Sequence, residues 1–349
     1  MNNQKIESGD NSRNIQVRGN LTCGISYTEA RQIALDVFNA NCQKLMNEAA
    51  QTANIRANEI IDDFIKRLFE EQPELSYKLK EPSIQYSAYS VIKNYVKTGD
   101  VDLKENLLRM LMQRMRADDR SIEQIVLDEA IEILPKLTQD IINILSLVFS
   151  AVYLLHDLNS LDTFNNFINN QLMIFYPNRT SGSMYTHLQY TGCSTFLAEG
   201  ATYKPFPSII KNRYGGLFNK GFSKELLKQA IPIDYEQIAP IVTACQQNAT
   251  LLQFNAINDS VLEEEIKKHN LELQSQKILQ LNKQYQMTDE EIANYMCSIN
   301  PKMRRFMEEW KGERSPLKTI APTSVGYAVA ILNYNIKTKA GISFKGFVE

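Results

Sequence analysis

Between Ser26 and Gln72 the chain contains neither glycine nor proline. A helix start stands at the head of this stretch: in Ser26-Tyr-Thr-Glu29 the serine hydroxyl can accept one orphan amide while Glu29 reaches back to another. About 46 helical residues follow, roughly 70 Å at 1.5 Å per residue. A compact chain of this length has a radius of gyration of only about 20 Å. Such a helix overhangs its own globule unless it breaks. Its inner stripe reads Ala34, Phe38, Cys42, Leu45, Ala49, Ala53, Ala57, Ile60, Phe64 and Leu68. The mean step lies nearer an 11-residue repeat than the heptad of a left-handed coil, and the alanines permit close helix-to-helix approach. A stalk shared between subunits is therefore expected over residues 26–73. A single helix folded against its own domain is the alternative.

The 25 residues before it have a different texture, rich in Asn, Ser and Gly. Ile15, Val17 and Leu21 fall on short alternating stretches that turn near Arg18-Gly19-Asn20, which reads as two very short strands. Two such strands are not stable alone, so a pairing role in oligomerisation is expected for 1–25. Ile15, Val17, Leu21, Phe38, Leu45, Ala49, Ala53, Ile60 and Phe64 are thus the candidate self-association residues.

Residues 74–178 read as an antiparallel helical bundle. A helix over Ser83–Lys97 closes at Gly99, which suits a left-handed cap. Leu103, Leu107, Leu108, Leu111, Met112 and Met115 recur at helical spacing as core. Another helix opens at Ser121, with Gln124 three residues on, and Thr138 caps the next. The run Ile141–Leu155 is the most apolar of the chain, but a bilayer span needs roughly 20 such residues. It reads as a helix buried on all sides, or as a membrane-acting helix released on activation.

From 179 to 349 a mostly helical C-terminal region is expected, with an irregular segment over 180–222. The stretch from Thr180 to Pro232 holds six of the 14 glycines, so loops and two or three short strands are expected there. Helix is expected again from Ser223 and across Pro240 to Gln286. Thr288–Glu291 is a further capping box, Pro301 opens a helix through Trp310, and Thr323 or Ser324 begins another. A short strand over Ile342–Val348 ends the chain. The fold class is mainly α, with a short β leader, a long N-terminal helix, a central bundle and a mixed α+β C-terminal part.

Composition excludes several functions. With 38 basic and 40 acidic side chains the net charge is −2, so no whole-molecule field gathers nucleic acid or anionic lipid. Neither is expected as a partner; a second copy of the chain is, in a homo-oligomer, with another protein as a further candidate. The five scattered cysteines fit neither a disulfide framework nor a zinc site, and the opening residues resemble no secretory signal. A reducing cytoplasm is the expected location.

Chemistry is sparse. The three histidines, His156, His187 and His269, stand in no metal-ligand spacing. Glu129 and Glu132 share a helix face but have no second pair to complete a cage. No metal and no cofactor are expected. Cys193 has His187 six residues upstream as its one nearby base, and is read as a structural thiol. Tyr214–Gly221 could bring backbone amides to a phosphate beside Lys220, and is read instead as a turn packing Tyr214, Phe218 and Phe222. One basic cluster surrounds Arg304, Arg305, Trp310, Lys311 and Arg314. These are the candidate nucleic-acid contacts, although the interleaved acids favour intrahelical pairing. No catalytic residue emerges, and the expectation leans away from an enzyme.

Ser8-Gly-Asp-Asn-Ser12, Asn14-Ile-Gln16 and Gly24-Ile-Ser-Tyr-Thr-Glu-Ala30 together resemble the opening of a family of uncharacterised bacterial proteins. The likeness continues through Gly99-Asp100, Asp102-Leu103, Arg120-Ser121, Leu127–Thr138 and Thr323–Ala330. The body is also similar to helical domains of abortive-infection and phage-defence loci. The resemblance implies a helical cytoplasmic protein with a defence role and names no catalytic residue. A self-associating sensor or scaffold is the expected function. A membrane-acting effector exposing 141–155 and a nucleic-acid module using 302–318 are the alternatives.

Overall fold

Ser26 and Glu29 make the expected reciprocal bonds, Ser26 N–H to Glu29 Oε2 at 2.9 Å and Glu29 N–H to Ser26 Oγ at 3.2 Å. From that cap α1 runs unbroken over Tyr27–Glu71. The computed structural model describes residues 7, 9, 10, 26–312 and 315–348; the expected leader strands lie outside them. The chain divides into two units, up to Glu59 and from Ile60 onward, so the division falls inside α1. Within the first, Phe38 and Leu45 are 65% and 63% exposed, and Tyr27, Ile33, Val37, Met46 and Ile55 are exposed as well.

The second unit begins with the last turns of α1. Ile60, Phe64 and Leu68 are buried in its core. Ionic contacts fix the same turns to α3 (Val101–Arg116), which follows α2 (Pro82–Thr98) after a left-handed cap at Gly99. Lys104 Nζ lies 2.8 Å from Asp63, Arg109 lies 2.8 Å from Glu71 and 3.0 Å from Glu105, and Arg67 grips Glu105 with two guanidinium nitrogens. The Leu/Met stripe of α3 is core. Ser121 caps α4 (Ile122–Ile133), and Thr138 caps α5 (Gln139–Val148), whose residues from Ile141 to Val148 are all buried. Among the described residues no helix is long and apolar enough to cross a membrane.

After α5 the helix widens into a π turn over Phe149–Tyr153, closed by Leu154 N–H to Phe149 O at 2.9 Å. A second π turn, Ile168–Leu172, follows α6 (Leu161–Phe167) and is closed by Met173 N–H to Ile168 O at 3.0 Å. Ser150 Oγ donates to Gln171 O at 2.8 Å, tying one widened turn to the other.

The 180–222 segment is more helical than expected. It forms α7 (Gly182–Tyr190), one strand β1 (Ser194–Phe196), and α8 (Phe206–Tyr214). The next stretch is less helical than expected: α9 (Lys224–Ala230) and the short α10 (Tyr235–Ile238) give way to a hairpin, β2 (Val242–Ala244) against β3 (Leu252–Phe254). Phe222 pairs with Leu252 across it. Pro240 ends helical growth there, and a second small core forms around Phe222, Ile241, Phe254, Ile278 and Leu281. It is completed by α11 (Asp259–Lys268) and α12 (Ser275–Tyr285).

α13 (Asp289–Ile299) opens on the Thr288/Glu291 box, and α14 (Lys302–Lys311) follows. β4 (Ile320–Pro322) pairs antiparallel with β1, and α15 (Ser324–Thr338), capped by Thr323, enters the body. The expected terminal strand is instead a short helix, α16 (Lys345–Val348). The reason is local: Phe344 and Phe347 sit three apart, a helical spacing, with Phe344 buried and the Phe347 ring edge-on to Phe149 at 5.0 Å.

α5 packs along α15 through a polar seam inside the core. Asn333 Nδ2 donates to Ser146 Oγ at 2.8 Å and to Asn143 Oδ1 at 3.2 Å, while Gln139 Nε2 donates to Asn333 Oδ1 at 2.9 Å. Ser146 Oγ donates to Ala330 O, and Lys337 Nζ reaches Asn143 Oδ1 at 2.8 Å. A buried polar group without a partner costs about 1–3 kcal/mol. Asn333→Leu is therefore expected to lower unfolding stability by about 2–3 kcal/mol in urea titrations. Adding Asn143→Leu should cost less than the sum of the two single changes, since each removes the other's partner.

Candidate functional site

A cleft of about 540 Å³ opens where the helical body meets the second small core. Its walls come from four segments: the loop after the first π turn, the C-terminal end of α8, the β2–β3 hairpin, and the approach to α11. Gly216 makes the junction possible. A Cβ there would lie 2.0 Å from Ala256 O, and Gly216 N–H donates to Ile257 O at 2.9 Å.

The π turn sets the chemistry of one wall. Widening a helix by one residue leaves its last carbonyls without the usual partners. Arg213, in the last turn of α8, supplies the missing donors: Nη1 lies 3.3 Å from Ala151 O and 3.4 Å from Leu154 O, and Nη2 bonds Val152 O. The His156 backbone N–H donates to Tyr214 Oη at 2.8 Å, and its Nε2 lies 3.0 Å from Ser150 O. The imidazole packs 4.2 Å from the Phe167 ring. Burial holds the His156 pKa below its ordinary value, against the raising effect of the Ser150 carbonyl. Burial likewise raises Tyr214.

A second polar constellation joins α14 to the segment before α7. The Glu309 carboxylate accepts bonds from Tyr176 Oη (2.7 Å), Tyr185 Oη (2.7 Å) and Thr180 Oγ1 (3.1 Å). Arg305 Nε donates to Tyr176 Oη at 3.0 Å, and its guanidinium lies 4.6 Å from the Tyr176 ring centre while bonding the Pro177 and Asn178 carbonyls. Burial and the neighbouring carboxylate push the Tyr176 hydroxyl up to about 12, and Tyr185 higher still. Both hydroxyls donate to the Glu309 carboxylate, and that of Tyr176 also accepts from Arg305.

The sequence-derived candidates disperse over the molecule. Ile15, Val17, Leu21 and Arg314 lie outside the described residues. Phe38, Leu45 and Ala49 are exposed on α1, and Ala53 is half-buried. Ile60 and Phe64 are corrected: they are 1% and 7% exposed and belong to the core of the second unit, not to an exposed face. Trp310 is also corrected as a nucleic-acid contact. It is 2% exposed, stacks among Phe206 and Phe306, and donates its indole N–H to Lys204 O. The apolar face of α14 placed it in the core, whereas Arg304 and Lys311 remain on the surface. Arg305 is largely committed to the α7 approach. Tyr214, Phe218 and Phe222 are buried as expected of that turn, and Lys220 pairs with Glu291 at 2.7 Å. Cys193 is buried, which pushes its thiol up to about 11, and His187 bonds Lys136 O instead. Among the described residues no three His, Cys, Asp or Glu side chains gather to hold a metal.

Sequence reasoning missed the cleft itself. The one local signal was the density of Asn and Gln at 246–258, which a helix reading of that stretch absorbed.

The structure thus defines a mainly helical protein whose body carries a polar cleft beside two π turns. A protein-family model described as ":-like" matches residues 24–348. The chain belongs to that family. No curated protein and no solved structure matches it.

The buried imidazole makes stability depend on pH. Because the folded state depresses the His156 pKa below 6.5, the unfolded chain binds the proton first as pH falls. Its contribution is complete above about pH 6.5 and is lost as pH falls towards the folded value. The wild-type unfolding midpoint should therefore drop between pH 7.5 and 5.5. In His156→Asn that drop should be smaller, from a lower starting midpoint.

Proposed function

We propose that this chain is a self-associating, non-enzymatic helical protein, acting as a sensor or scaffold in bacterial antiviral defence. One observation carries the self-association: the face of α1 that buries Ile60, Phe64 and Leu68 continues, at the same spacing, into the exposed Leu45 and Phe38. Phe38, Ala49 and Ile60 stand 11 residues apart in succession, as do Cys42, Ala53 and Phe64. That repeat favours a gentle right-handed winding of one helix on another. Each exposed Phe or Leu gains about 1.5–3 kcal/mol when covered, and a second copy of the same face offers a self-complementary cover. Small residues at 49 and 53 allow the backbones to approach. The defence role rests on the likeness of the body to helical domains of abortive-infection and phage-defence loci.

The membrane-acting alternative would have to extract α5 from a core in which Gln139, Asn143 and Ser146 are all hydrogen-bonded. Nothing in that seam favours release.

Light scattering coupled to gel filtration tests the reading. At micromolar concentration the full chain should run as an oligomer, and Phe38→Glu with Leu45→Glu should reduce it to a monomer. The thermal transition of the body should survive in that variant, because neither residue belongs to its core. A monomeric wild-type chain overturns self-association. Deleting residues 1–25 reports separately on the leader: persistence of the oligomer assigns assembly to α1 alone.

A further inference from the structure

The amides of the cleft fall into two groups. One group holds the frame. Gln253 donates to Gly216 O at 2.8 Å and accepts from Gln246 N–H at 2.8 Å, and Asn258 caps α11 by accepting from Val261 N–H at 3.0 Å. The other group, Asn159, Asn212, Gln246 and Asn255, lines the same cavity, and all four are exposed to solvent. None of their side chains hydrogen-bonds another described residue, whereas those of Gln253 and Asn258 are bonded. Each offers an N–H₂ and a C=O side by side.

Charge in the cleft is balanced. The Arg213 guanidinium is held on the carbonyls of Ala151, Val152 and Leu154, and Asp157 places a carboxylate on the same wall. His156 lies behind them with its Nε2 on Ser150 O. The N-terminus of α11 already has its cap in Asn258. No lysine lines the cavity. A polyanionic ligand therefore finds no surplus of positive charge, and a long acyl chain finds too many amides. Leu155, Leu217, Ile257 and Val261 also line the cavity and offer apolar surface to a flat ring. The volume falls within the roughly 300–1,000 Å³ of small-molecule sites.

We propose that this cleft binds a nucleoside: an uncharged heterocycle whose edge presents adjacent hydrogen-bond donors and acceptors to Asn159, Asn212, Gln246 and Asn255. Primary amides pair in this two-bond fashion with the donor–acceptor edge of a base, and the apolar residues take the ring face. The site does not depend on assembly through α1.

Isothermal titration of the full chain with adenosine, guanosine, cytidine and uridine, and with their 5′-monophosphates, tests this. At least one nucleoside should bind saturably, and more tightly than its monophosphate. Asn212→Ala and Asn255→Ala should each weaken binding about tenfold, the scale of one lost hydrogen bond. Both residues are exposed and unpartnered, so the unfolding midpoint should not move. Glu129→Gln, on α4, should leave binding unchanged. The Phe38→Glu, Leu45→Glu chain should bind as the wild type does, which separates this outcome from failure of self-association. Absence of saturable nucleoside binding overturns the proposal. So does tighter binding of the monophosphate, which would mark an anion site, or indifference of binding to both amide substitutions.

Discussion

Asn333 sits at the centre of the body, 1% exposed, and the rest of the architecture is arranged around the need to satisfy it. α5 is buried on every side, yet its sequence contains Asn143 and Ser146. Burying those groups is tolerable only if each finds a partner. α15 brings Asn333 to both, and Gln139 closes the seam from the first turn of α5. An apolar seam would hold the two helices by shape alone. This one bonds correctly in a single register, so it fixes the axial position of α5. That position in turn decides where the chain leaves α5, and the cleft begins at that exit.

The exit is a π turn, and its consequences reach further than its five residues. A widened turn frees carbonyls that water would normally solvate, but Ala151 and Leu154 are buried. Arg213 is the donor that makes the turn affordable, and Ser150 and Gln171 link it to the second π turn. His156 is then held between the Ser150 carbonyl, the Tyr214 hydroxyl and the Phe167 ring. The wall of the cleft is thus an output of core packing, transmitted from Asn333 through α5 to Arg213. Widened turns recur at functional sites because they place backbone and side chains where a regular helix would not.

Much of the fold was legible along the chain. The helix over Tyr27–Glu71 followed from the absence of glycine and proline, and the starts at Ser26, Ser121, Thr138, Thr288 and Thr323 from capping chemistry. The core role of the α3 stripe followed from its period. What could not be read has physical causes. A π turn shifts the helical phase by a single residue, within the scatter of any hydrophobic pattern. β2 and β3 are three residues each, too short to show alternation, so the 223–286 stretch read as helix. Trp310 looked like a stacking platform because basic residues flank it, whereas its indole N–H finds Lys204 O and its rings find Phe206 and Phe306. The cleft combines residues about 100 apart, and no local pattern announces a junction of four segments.

One repeat on α1 meets two environments. Where it carries Ile60, Phe64 and Leu68, the apolar face is covered by the chain's own core and flanked by ion pairs at Asp63, Arg67 and Glu71. Where it carries Phe38 and Leu45, the same spacing faces solvent. Packing within the body accounts for the first part only. Helix propensity alone gives no reason for Phe at a solvent-facing position. Continuation of the 11-residue spacing across Ala49 and Ala53 is what a helix-to-helix seam requires: large side chains at intervals, small ones between them, and a period that keeps one face turned to its partner. The stretch free of glycine and proline keeps α1 helical through both parts, so the 11-residue spacing carries on from the buried residues to the exposed ones, and on that continuity the proposed self-association rests.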